Sequence, residues 1–209
     1  MNDSSLTTEA LQASALALTE TAVLPSGALV AIRPLAPSDA AALGAYFVGL
    51  SPETRGRFGP HPLDRATAEH LCASIDPRAA QRVVLTTPGP VVDTIIAYII
   101  LLLGVPPHEL ERYARRGITL DPGLDCAVAP SVADGYQNVG IGSRCFQYVI
   151  GLARRLGRRH MVLLGGTQGT NERAVHFYAK HGFQTVGSFE HPGNVLNHDM
   201  LLEISPVGT

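Results

Sequence analysis

Gln137-Asn138-Val139-Gly140-Ile141-Gly142-Ser143 leads straight into an apolar-periodic run that ends at Leu156. Within that run Ile141, Cys145, Val149, Leu152 and Leu156 recur at helical spacing, with Arg144, Gln147, Gly151, Arg154, Arg155 and Arg158 mostly opposite. Upstream, Leu124 to Ala129 reads as an apolar strand closed by Pro130. A strand, a glycine turn and a helix start make a seat for a phosphate, because free N–H groups point outward and the helix dipole favours negative charge. Gly140 and Gly142 let the backbone approach a ligand closely. A Walker loop is excluded, since no Lys follows the glycines. A Rossmann turn fits poorly: its third glycine position is Cys145, and 160–166 offers no acidic residue for a ribose.

A third ligand that such a turn can seat is coenzyme A. Gln-x-x-Gly-x-Gly on a strand–turn–helix resembles the pyrophosphate loop of the GCN5-related N-acetyltransferase (GNAT) superfamily. Downstream, Asn171, Ala174, Phe177, Tyr178, Gly182 and Phe183 match that superfamily's Asn-x-x-Ala-x-x-Phe-Tyr-x-x-x-Gly-Phe pattern, after a strand-like run from His160 to Leu164. The resemblance is strong over 121–190, diffuse over 28–120 and absent from the first 25 residues.

It implies an α/β fold with a mixed, mostly antiparallel sheet flanked by helices, whose fourth and fifth strands splay apart. It implies acetyl-CoA as acyl donor and direct acetyl transfer to an amine, either a small molecule or a protein N-terminus. Contacts to the donor would come from Ala127, Val128 and Ala129, from the turn Gln137, Asn138, Val139, Gly140, Ile141, Gly142 and Ser143, and from Asn171. Where the family often has Arg or Lys inside the turn, this chain has Asn138 and Val139, so affinity would lean on backbone amides and Arg144. Tyr178 matches the family's general acid, although a tyrosine on an apolar helical stripe also reads as a core residue. Asp125 stands where the family's fourth strand has Glu, as a base or as a residue that orients a neighbour. A non-catalytic acyl-CoA sensor or assembly module is the alternative from another class.

With 209 residues, the chain accommodates one domain at 28–209 preceded by a flexible or weakly helical extension at 1–27. That extension is rich in Ser, Thr and Ala, and without Lys or Arg it does not read as a leader. A formal charge of −2 argues against nucleic acid or an anionic membrane as main partner. Three Cys in no metal or disulfide spacing suit a reducing, cytoplasmic setting. No metal is expected: His176 and His181 fall roughly 140° apart on a helix.

Leu29 to Leu35 reads as the first strand, and Ser38 or Asp39 opens a helix to Leu50. The proline-rich loop 51–63 follows, where Arg55, Arg57, Phe58 and His61 are candidate substrate contacts by resemblance; an ordinary solvated loop is the other reading. Asp64 caps a helix from Arg65 to Ile75. Gln81 to Thr87 and Val91 to Leu103 read as strands, the second buried and too short for a bilayer, which needs about 20 residues. The insertion at 104–122 reads as a short charged helix, serving as surface decoration, homodimer contact or substrate lid. Strands at Phe183 to Phe189 and Leu196 to Ile204 close the chain.

Overall fold

The computed structural model describes residues 18–24, 27–89, 93–191 and 193–204. The weak helix expected around Leu6 to Leu18 lies outside the described residues except at Leu18, which is buried. Among the described residues nine strands form one sheet: β1 (Glu20–Val23), β2 (Leu29–Pro34), β3 (Ala80–Thr87), β4 (Thr94–Leu102), β5 (Cys126–Val132), β6 (His160–Leu163), β7 (Thr167–Gln168), β8 (Gln184–His191) and β9 (Val195–Glu203). Their order is β1-β2-β3-β4-β5-β6-β9-β7, with β8 on the other edge of β9, and β5–β6 is the one parallel pair. The expected mixed, mostly antiparallel sheet is therefore present.

Among the described residues six α-helices cover it: α1 (Ala40–Gly49), α2 (Pro52–Gly56), α3 (Arg65–Ala73), α4 (Pro107–Ala114), α5 (Ile141–Arg155) and α6 (Glu172–Lys180). Helix α5 buries Ile141, Cys145, Phe146, Val149 and Leu152 on one sheet face against Val83, Leu85, Ile99 and Val128. Helices α1 and α3 bury Leu43, Phe47, Ala68 and Leu71 on the opposite face against Val84, Tyr98, Ile100 and Ala129. Strand β4 is buried from Ile95 to Leu101 because helices cover both of its faces, which is why it reads as an unbroken apolar run. Each such side chain contributes about 1.5–3 kcal/mol of burial free energy.

Three expectations need correction. Glu20–Val23, placed by sequence in the extension, pair with Leu29–Ile32 as the edge strand, so the sheet starts before residue 28. Pro130 does not close the strand at 124–129. Strand β5 runs through it to Val132, opposite Ile99, since a proline is tolerated where its missing N–H faces no partner strand. Residues 51–63 are not wholly irregular: Ser51 caps α2 through the N–H of Thr54.

The 104–122 insertion is neither loose decoration nor solvent-borne. The Tyr113 hydroxyl, fully buried, donates to the Met200 carbonyl at 3.0 Å. Arg112 and Arg116 both pair with the buried Asp199, at 2.9 and 2.7 Å. The Arg112 guanidinium also stacks 3.9 Å above the Phe189 ring. Helix α4 is thereby fixed to the β8–β9 hairpin.

Candidate active site

Strands β5 and β6 pair only over Cys126–Val128 and Met161–Leu163, with a last bond from the Leu164 N–H to the Val128 carbonyl. There β6 turns off through Gly165 and Gly166, both left-handed at φ 77° and 68°. A Cβ on Gly166 would stand 2.7 Å from the His198 carbonyl oxygen, so the turn needs glycine for space as well as for φ. Strand β5 continues to Val132 with β4 as its only strand neighbour. The parting strands open a cleft of about 230 Å³. Its walls are Val128 to Val132, Gln137, Asn138 and Gly142 on one side, and Asn171, Ala174, Phe177 and Tyr178 of α6 on the other.

At one end of this cleft lies the 137–143 turn. Asn138 and Gly140 take positive φ of 64° and 85°, and α5 starts at Ile141 without a side-chain cap. Arg144 is the first residue to bond back, to the Gly140 carbonyl. The N–H groups of Ile141, Gly142 and Ser143 thus have no intrahelical acceptor, the arrangement that binds anions at helix starts. The donor set fits a pyrophosphate.

In the α6 wall, the Tyr178 ring packs among Phe146, Phe177 and Phe183. Its hydroxyl makes no hydrogen bond with any described residue, and burial pushes the phenol well above its usual range. Asn171 caps α6, accepting from the Ala174 N–H at 3.2 Å, so its amide nitrogen is the part left for a ligand.

The 51–61 segment crosses the cleft and is tied down at both ends. Asp134 accepts from the Ser51 N–H, the Ser51 hydroxyl and the Thr54 hydroxyl, and these bonds hold its carboxyl down at about 2. Gln137 donates to Thr54 Oγ1 and the Val132 carbonyl. Gln168 donates to the Gly56 carbonyl at 3.3 Å. Beyond this strap lies a second cavity of about 670 Å³. The two cavities share Arg57, Gly59, Pro60, Leu164, Gly166 and Gln168, so they meet at the corner where β6 turns away.

The residues expected at the site separate clearly. Val128, Ala129, Gln137, Asn138, Gly142, Asn171, Tyr178, Arg57 and Phe58 line the cleft together. His61 lines the second cavity, where burial lowers its pKa. Val139, Gly140, Ile141 and Ser143 continue the turn beside the cleft wall, the Ile141 side chain in the core and the Ser143 hydroxyl on His181.

Four expectations fail on geometry. Asp125 cannot serve as a base from its position. Its carboxylate is fully buried and accepts from the Asp121 N–H, the His160 N–H and the His160 ring, outside both cavities. Ala127 lies between two paired strands and is fully buried, so the free β5 edge begins beyond Val128, not at 127. Arg55 donates back to the Leu63 carbonyl and borders neither cavity. Arg144 leans toward Glu20 of β1, at 3.9 Å, and not toward the cleft.

Sequence reasoning missed Arg82, Glu109 and Asn197. Arg82 carried a signal, as a lone cation in the otherwise strand-like 81–87 run. Glu109 and Asn197 carried none, because their importance comes from what the insertion and β9 bring to Gly165.

Residues 93–183 match the model of the acetyltransferase (GNAT) family. No curated protein matches the chain. Among solved structures, the fold is similar to the GNAT domain of S. lividans PAT, with TM-score 0.70 and 20% identity over 90% of this chain and 98% of that one. It is also similar to yncA from Salmonella typhimurium, a putative acetyltransferase solved with acetyl-CoA, with TM-score 0.62 and 15% identity over 86% and 96%. The ribosomal-protein-S18-alanine N-acetyltransferase from Escherichia coli aligns with TM-score 0.56 and 19% identity over 86% and 96%.

Proposed function

We propose that this chain, whose residues 93–183 match the model of the acetyltransferase (GNAT) family, transfers acetyl directly from acetyl-CoA to an amine. One observation carries the reading. The cleft between β5 and β6 has an uncapped helix start at one end and an unpartnered phenol in its wall, and it opens at a shared corner into a second cavity. The yncA neighbour, solved with acetyl-CoA, has a related fold.

When bound, the donor supplies an activated thioester. The N–H groups of Ile141, Gly142 and Ser143 hold its pyrophosphate, and the free β5 edge from Ala129 to Val132 lies along the pantetheine arm. Ala129 and Ser131 turn their N–H groups toward β4 and Pro130 has none, so the outward backbone donor of that edge is the Val132 N–H. The amine arrives neutral from the second cavity and attacks the carbonyl carbon; as the C–S bond breaks, Tyr178 gives its proton to sulfur. A proton lost by the amine leaves through the wider cavity, where no carboxylate of the described residues lines the wall, and water restores the Tyr178 proton. The low polarity that raises the phenol also raises a thiolate formed beside it, so the transfer stays nearly balanced.

The test is acetyl-CoA binding by calorimetry together with thiol release over a broad amine panel. Binding with acetylated product supports the reading. Stabilisation by NAD or ATP but not by acetyl-CoA would overturn it.

A further inference from the structure

The second cavity has a one-sided chemistry. Among the described residues its ionisable wall groups are Arg57, His61, Arg82, His108 and His191, with no Asp or Glu in the lining. Arg57 is already paired with Glu53 at 2.8 Å, and burial keeps His61 neutral near pH 7. Arg82 is different. It projects from β3 on the α1–α3 face, opposite Ile100, and takes part in none of the ion pairs among the described residues.

The guanidinium of Arg82 lies beside the Tyr98 hydroxyl, while its Nε is buried with no partner. Tyr98 in turn stands 3.3 Å from His61 Nε2, whose other nitrogen is held by the Pro62 carbonyl. The network therefore neutralises none of the Arg82 charge. A half-buried guanidinium with an orphaned donor is costly unless an anion arrives to meet it. A guanidinium fork matches a carboxylate in two parallel bonds.

The rest of the wall fixes the body of the ligand. Leu71, Ile100, Leu102, Leu164 and Val195 make much of it apolar. Asn197, only 7% exposed, leaves its Oδ1 without a partner while its Nδ2 holds the Gly165 carbonyl. The volume of about 670 Å³ suits a small molecule and not a folded surface. Among the neighbouring carboxylates, Glu53 is held by Arg57, and Glu109 sits behind the Gly165 corner and is fully buried.

We propose that the acceptor is a small amine bearing a carboxylate on an apolar body, with the carboxylate on Arg82 and the amine at the corner shared with the donor cleft. This rests on the acetyl-transfer reading for the amine, but not for the carboxylate site itself.

The experiment compares the common α-amino acids, each beside its amide, for kcat/KM in thiol release. It also measures calorimetric binding of the deaminated acids 4-methylpentanoate and 3-phenylpropanoate to the CoA-loaded protein. Apolar amino acids should exceed their amides by about ten- to a hundredfold, the range of one charge-assisted contact. In Arg82→Gln that preference should vanish through KM, with Arg82→Lys recovering part of it. The deaminated acids should bind the wild type and not Arg82→Gln. Amides equal to or better than acids would overturn the inference while leaving acetyl transfer intact. A preference that persists in folded Arg82→Gln would overturn the role of Arg82. Failure of acetyl-CoA to bind would sink the acetyl-transfer reading. Loss of acid binding in Arg82→Gln would still support the carboxylate site.

Discussion

The Glu109 carboxylate accepts the Gly165 N–H at 2.5 Å, and Asn197 donates to the carbonyl of the same glycine at 3.0 Å. Two residues remote in sequence, one from the 104–122 insertion and one from β9, thus clamp the corner where the two cavities meet. Helix α4 is a buttress for that corner. Its own attachment to Asp199 and Met200 makes the buttress rigid.

The clamp has a pH signature. Burial pushes the Glu109 carboxyl up to about 7 from an ordinary 4.5, against the opposing pull of the Gly165 N–H and Arg112. A raised carboxyl favours the folded state when protonated. Its stabilising contribution is fully present below about 4.5 and is lost as pH rises through about 7. The full span corresponds to about 3 kcal/mol. Glu109→Gln keeps an oxygen for Gly165 and removes the titration. Urea unfolding at pH 5 and pH 8 should show a smaller loss of stability in the variant. Equal losses in both proteins would mean that Glu109 does not titrate in this window.

Gly142→Asp tests the anion seat. A Cβ at Gly142 would meet Phe177 at 3.4 Å and Val132 at 3.8 Å, ordinary contacts that the fold tolerates. An acid in the first turn stabilises the helix by about 0.3–1 kcal/mol but repels a pyrophosphate. Melting temperature should hold or rise while acetyl-CoA affinity falls at least about tenfold, a loss of about 1.4 kcal/mol. Unchanged affinity in calorimetry would make the turn merely structural. Gly140 is a poorer probe, since at φ 85° any side chain strains the backbone itself.

Asp125→Asn separates a base from an anchor. The carboxylate gathers three donors at the start of β5, and an amide must turn its NH₂ toward at least one of them. Stability should fall by about 1–3 kcal/mol. Turnover at a temperature where the variant is folded should stay within severalfold. A drop of a hundredfold or more in kcat, with the fold intact, would return Asp125 to the chemistry.

The glycine turn, α5 and the Asn171 to Phe183 block were legible because local pattern and motif agree there: helical spacing, an open N-terminus and one aromatic stripe. Strand β4 was legible as a buried run because both its faces are covered. The edge strand β1 was not, since a four-residue edge owes its pairing to β2 more than to its own sequence. Pro130 misled because proline usually ends a strand, and only the parting of β6 from β5 removes the need for its N–H. Asp125 misled for a related reason. Its position in the strand matches the motif, but the donors around it come from His160 and Asp121, which spacing along the chain does not reveal. Arg82 and Glu109 acquire meaning only from the cavity and from the clamp.

The central claim is that the Tyr178 hydroxyl, which makes no hydrogen bond with any described residue, protonates the departing thiolate at the end of the donor cleft. Tyr178→Phe removes that oxygen and keeps the ring among Phe146, Phe177 and Phe183. The decisive measurement is single-turnover acetyl transfer from a preformed acetyl-CoA complex to a saturating amine, wild type beside Tyr178→Phe. The account expects the rate to fall by about 10²- to 10⁴-fold, with acetyl-CoA affinity within severalfold and stability nearly unchanged. A rate within severalfold of wild type would contradict it and leave Tyr178 a core residue.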